Sequence, residues 1–195
     1  MRGTRMLAFI AAGLVLAAPA STMAARQQES PDVLPLRFTA NAMALGTAIS
    51  GTARVEILLT RWSTPEEGAA LEGIFLEQGQ VAMVDALRKM PEVGRFRVGT
   101  ELSYPLQFAE AVKTEDGWMV FIATDREIGA YEAYYGARTL DYSLGLVQLM
   151  LDDDGNGEGT VAPAVRLHFD RDRNTLVIED WDTRPVRLRN VRFRE

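Results

Sequence analysis

The stretch LDDDGNGEGT, residues 151–160, is dense in side-chain oxygens, and its spacing invites comparison with a calcium loop. An EF-hand loop places oxygen ligands at its first, third and fifth positions, glycine at the sixth and a bidentate glutamate at the twelfth. Asp152, Asp154 and Asn156 fill the first three places and Gly157 the glycine place, but the twelfth falls on Pro163. Proline has no side-chain oxygen, and the flank VRLHF at 165–169 alternates as a strand where an EF-hand needs a helix. The segment therefore reads as a hairpin turn. Its aspartates keep the tip solvated, and Gly155, Gly157 and Gly159 are expected to supply positive φ. No metal site is assigned, and only weak calcium binding at Asp152, Asp154 and Asn156 stays open.

Other chemistry is sparse. His168 is the single histidine, and in VRLHF it shares a face with Arg166 and Asp170 while Val165, Leu167 and Phe169 point away. That pattern predicts a solvent-facing strand histidine, not a general base. Residues 141–145, DYSLG, only superficially resemble the G-x-S-x-G elbow of a serine hydrolase. Zinc hydrolysis in its usual forms needs two or three histidine ligands and is excluded. Paired carboxylates can hydrolyse glycans, but the chain has 27 acids and no pair stands out. Glu110, Asp125 and Asp141 sit beside apolar runs and are the acids expected to be partly buried, as turn residues or arginine partners. The catalytic residues, if the chain is an enzyme, are unassigned, and no cofactor is expected.

The C-terminal segment PVRLRNVRFR carries Arg187, Arg189, Arg192 and Arg194, with Arg184 just before it. Val186 and Leu188 alternate with arginine, Asn190 shifts the phase, and Val191 and Phe193 resume it. One strand with a bulge near Asn190 gives that pattern. The arginines are expected to form a solvent face balanced by Glu179, Asp180 and Asp182, in preference to binding a polyanion.

The elements that must position these residues begin after an exported leader. Arg2 and Arg5 precede the apolar run at 6–18, and small residues follow at 18–25. A basic flank, a short apolar core and small exit residues make a secretory signal peptide over 1–25. The run is shorter than the roughly 20 apolar residues that a spanning helix needs. No later stretch is apolar enough to span either, so no transmembrane segment is expected in the mature protein. The chain has no cysteine, which excludes disulfides, lipid attachment to cysteine and thiolate chemistry. Removing residues 1–25 takes away two arginines and no acids, moving the net charge from -6 to -8. Residues 26–163 hold 11 basic and 21 acidic side chains, while residues 164–195 hold 8 and 6. So acidic a body argues against nucleic acid as a partner.

Residues 26–35 are polar with two prolines and read as a flexible lead-in, and 36–195 as a single domain. LRFTANAMAL and GTARVEILLTRWS predict the first two strands. Then Thr64 as N-cap, Pro65 at the first helical position and Glu67 in a capping box open a helix that Gly79 closes, with Leu71, Ile74 and Phe75 at helical spacing. A second helix is predicted over 80–90, with Val81, Val84 and Leu87 on one face and Pro91 as its stop. From Val93 onward short alternating runs separated by turn residues predict hairpins. The expected fold is α+β: a mostly antiparallel sheet, curved or closed into a partly open barrel, with two short helices inserted after the second strand. Residues 126–142 fit a helix or a long loop equally.

In their order, VEILLTRWST, MPEVGRFRV, ATDREI, RTLDYSLGLVQLMLDDDGNGEGT and IEDWDTRPVRLRNV resemble a family of exported bacterial proteins with no known activity. The resemblance implies a secreted or periplasmic single domain and carries no site residue over. The expected role is non-catalytic binding of a small or apolar ligand, or of a cell-envelope partner. The alternatives are a carboxylate-based hydrolase acting on glycans and a structural envelope protein.

Overall fold

The computed structural model describes residues 34–44, 51–100, 102–126, 128, 144–170, 175–180 and 186–194. Two strands open it, β1 (Leu36–Ala44) and β2 (Gly51–Leu59), followed by α1 (Pro65–Gln78) and α2 (Gln80–Leu87). Then come β3 (Gly94–Val98), β4 (Leu102–Leu106), β5 (Phe108–Thr114), β6 (Gly117–Thr124), β7 (Leu144–Leu151), β8 (Gly157–Asp170), β9 (Thr175–Asp180) and β10 (Val186–Arg194). Every pairing among them is antiparallel. The order is β4-β3-β2-β1-β10-β8-β7-β6-β5, with β9 a branch on β8.

The two ends of that order are one stretch of chain. β4 pairs with β3 and β5 pairs with β6, and only Gln107 separates β4 from β5. Val93 N donates to Leu106 O at 2.7 Å, and one residue later Gln107 N donates to Ala123 O at 3.0 Å. The strand changes partners at Gln107, and the sheet thereby curls into a nearly closed barrel with two helices. In sequence, YPLQFAEAV reads as one strand from Tyr104 to Val112. The inward face shifts there from Tyr104 and Leu106 to Ala109 and Ala111, a shift the sequence hides because apolar Phe108 continues the first phase while packing on the helix side.

Period-two patterning points one face of each strand inward. Phe38 of β1, Ile57 of β2, Phe96 of β3, Ile122 of β6, Leu149 of β7 and Leu188 of β10 meet there, each 3% exposed or less. Burying such a side chain contributes about 1.5–3 kcal/mol. The barrel interior is thus occupied by its own side chains.

The helices pack outside the barrel. Val84 and Leu87 of α2 bury against Leu144 of β7 and against Ala162 and Val165 of β8. Where β7 ends, the Gln80 side chain takes over as a neighbour of β8: its Nε2 donates to Val165 O at 2.9 Å, and its Oε1 accepts from Leu167 N. α1 starts as its sequence requires. Thr64 Oγ1 accepts from Glu67 N at 3.2 Å, and Glu67 Oε2 accepts from Thr64 N at 2.9 Å. Arg61 adds a bidentate contact to the same carboxylate at 2.8 and 3.1 Å. That guanidinium, with desolvation opposing it, holds the Glu67 carboxyl below its ordinary value of 4.5.

Two helix expectations need correction. Val81 is 51% exposed and does not share the buried face of Val84 and Leu87. Each three-residue step falls about 60° short of a turn, so two such steps rotate Val81 off the face. α1 has no fully buried residue, and Leu71, Ile74 and Phe75 are only half-buried. Of the segment 126–142, Arg126 and Ile128 are described and the rest lies outside the described residues. No described helix is long and apolar enough to cross a membrane.

Candidate functional site

The residues 152–156 form a turn built by hydrogen bonds. Asp152 N donates to Asn156 O at 2.8 Å, Gly155 N donates to Asp152 O at 3.0 Å, and Asp152 Oδ1 accepts from Asn156 N at 2.8 Å. Asp153 pairs with Lys113, and Asp154 is exposed. β8 begins at Gly157, inside the segment that the sequence assigns to the turn. Gly155 alone of the three turn glycines has positive φ, at 75°. Gly157 and Gly159 are needed for a different reason: a Cβ there would stand 1.9 Å from Met150 O and 2.7 Å from Gln148 O. Among the described residues, no three acids or histidines gather as they would around a metal.

The other candidates are dispersed. His168 and Arg166 are exposed on β8. Leu144 and Gly145 of DYSLG begin strand β7, whereas a nucleophile elbow leads into a helix; Asp141 to Ser143 lie outside the described residues. Asp125 is buried and serves arginine: Arg88 Nε lies 3.1 Å from Oδ2 and Arg126 Nε 3.5 Å from Oδ1. Glu110 faces Phe121 across β5 and β6, four residues before Asp125, or about 13 Å of strand. The structure does not bring these two acids together, and Asp141 is not described.

What the structure does gather is arginine. β10 bulges as its sequence predicts: Asn190 sits at φ 53°, and its register against β1 shifts between Thr39 and Asn41. The bulge keeps Leu188 and Val191 both inward, three residues apart, while Arg187, Arg192 and Arg194 are exposed. Asparagine tolerates this left-handed backbone better than most side chains. The acidic turn fixes the end of the strand, since Phe193 N donates to Gly155 O at 3.1 Å.

Pairing then extends the face. Arg194 stands opposite Arg37 of β1, Thr39 opposite Arg192, and Asn41 opposite Arg54 of β2. Glu56 stands opposite Thr39 on one side and Arg97 on the other. Arg189 pairs with Glu158 and Arg95 with Glu92. Arg37, Arg54, Arg97, Arg187, Arg192 and Arg194 form no ion pair among the described residues. The balance is expected from Glu179 and Asp180, whose strand pairs with β8 and not with β10. β9 lies on the far half of β8, where Glu179 faces Arg166 and Asp180 faces Val165. Arg184 and Asp182 lie outside the described residues.

At the bulge this face is concave. Thr39, Ala40, Asn41, Arg54, Asn190, Arg192 and Arg194 line a hollow of about 390 Å³. Sequence reading found the β10 arginines but missed Arg37, Arg54 and Arg97. Their outward parity was visible, but the long-range pairing of β1 with β10 was not. Comparisons with protein-family models, with curated proteins and with solved structures return no match to this chain.

Proposed function

We propose that this protein is an exported, non-catalytic binding module that holds an anionic component of the cell envelope on its arginine face. The observation that supports this best is the direct opposition of Arg37 and Arg194 on neighbouring strands. Like charges directly opposite destabilise a sheet. Here the pair stands among four further arginines that form no ion pair among the described residues, in a chain of net charge -6. A bound anion relieves the repulsion that the free protein carries. The filled interior shifts the expected ligand from apolar to anionic, because the concavity at the bulge is donor-rich and basic. Export rests on the leader, so N-terminal sequencing of the secreted or periplasmic protein should begin near Arg26.

Immobilised heparin, a model polyanion, tests the binding. At pH 7.5 and low salt the purified protein should be retained despite its pI of 5.0, and added salt should release it. The double variant Arg192→Glu, Arg194→Glu should pass through. A wild-type protein that also passes through would remove the basis of the reading.

A further inference from the structure

We propose that the hollow at the β1–β10 bulge is a subsite for a single phosphate monoester group. This rests on the anion-binding reading above and gives that face a specific chemistry. The hollow's polar side chains are donors: the guanidinium groups of Arg54, Arg192 and Arg194, the amides of Asn41 and Asn190, and the Thr39 hydroxyl. The nearest acid in the strand register, Glu56, stands across from Thr39 but does not line the hollow.

Three features favour phosphate over a simple carboxylate. Guanidinium forks approach from two directions, Arg54 from β2 and Arg192 with Arg194 from β10, with β1 lying between those strands. A planar carboxylate is satisfied by one fork, whereas a tetrahedral group offers oxygens to several at once. The charge also matches. Three arginines against Glu56 leave two positive charges, and a phosphate monoester carries about -1.5 to -2 at neutral pH. Finally, a hollow of about 390 Å³ lies in the range of small-molecule sites, roughly 300–1,000 Å³, and so admits the group that carries the phosphate.

The bulge makes the site. In an unbroken strand Asn190 and Arg192 would share a face with Leu188, whose side chain is buried. The extra residue turns Arg192 and Arg194 outward together, beside the Asn190 amide.

Calorimetric titration with inorganic phosphate at pH 7.5 and constant ionic strength tests the proposal. A Kd at or below about 1 mM is expected, with acetate failing to compete. Arg54→Ala and Arg192→Ala should each weaken binding at least tenfold. Asn190→Gly keeps the left-handed backbone and removes only the amide, so it should weaken binding several-fold with the melting temperature unchanged. Arg95→Ala, on the same wall but paired with Glu92, should leave phosphate binding intact. Glucose 6-phosphate and vesicles containing phosphatidic acid then distinguish a soluble ester from a lipid headgroup, by whichever binds more tightly than free phosphate. Absence of phosphate binding, equal competition by acetate, or equal weakening by Arg95→Ala would overturn the subsite. If heparin still retains the protein in that case, only the subsite fails. If retention is lost as well, the anion-binding reading fails with it.

Discussion

Arg37 and Arg194 are cross-strand partners on β1 and β10, two cations placed directly opposite each other on the outer wall of the barrel. Cross-strand charge pairs are worth about 0.2–1 kcal/mol in either direction. Arg194→Glu should therefore stabilise the free protein by about 0.5 kcal/mol, a rise of roughly 1–2 °C in melting temperature. The same change should weaken polyanion binding. Thermal melts and heparin retention measured side by side check both signs, and a variant that melts lower would show that Arg194 stabilises the free fold.

The bulge has its own signature. Asn190 sits at φ 53°, where a β-branched side chain is strained. Asn190→Val should cost about 1–3 kcal/mol in urea unfolding, and Asn190→Gly should be close to neutral. Equal costs would mean that the asparagine side chain, not the backbone, is what the position requires.

In the acidic turn, strand glycines should matter more than aspartates. A Cβ on Gly157 meets the Met150 carbonyl at 1.9 Å, so Gly157→Val should cost about 2 kcal/mol or more, or prevent folding. Asp152→Ala, which strips the acceptor from Asn156 N, should cost about 1 kcal/mol, whereas exposed Asp154→Ser should be nearly neutral. Denaturation midpoints give the ranking, and the reverse order would point to a role for the aspartates beyond the turn.

The start of α1 gives a dependence on pH. Glu67 has a folded pKa below its ordinary 4.5, held there first by the Arg61 guanidinium. A depressed pKa stabilises the fold above the unfolded value, and that contribution is lost as pH falls through the folded value. Glu67→Gln should therefore be less stable than wild type at pH 7, with the gap closing below about pH 4. A gap that persists at pH 3 would assign the loss to packing.

Much of the fold was legible because it rests on local rules. Thr64, Pro65 and Glu67 announce a helix start through backbone donors that any helix must satisfy, and the structure makes those bonds. The phase shift at Asn190 revealed the bulge, because Leu188 and Val191 can both face inward only if a residue is added between them. Closure at Gln107 was not legible, since apolar Phe108 masks the shift of the inward face to Ala109 and Ala111, and alternation does not record which strand lies beside a residue. For the same reason the site was half visible. The β10 arginines could be seen, but Arg37 and Arg54 join them only through pairings about 150 residues apart in sequence. Gly157 and Gly159 looked like turn residues by composition, yet their role comes from a neighbouring carbonyl that the sequence does not place.

The central claim, that anions bind on the wall formed by β1, β2 and β10, is tested most directly by mapping. Nitrogen-15 labelled protein titrated with a short polyphosphate should show its largest shifts at Arg37, Arg54, Asn190, Arg192 and Arg194, with side-chain guanidinium resonances moving as well. The helices and the wall around Met119 and Met150 should stay still. Shifts confined to that opposite wall, or no shifts at all under low-salt conditions, would contradict the account.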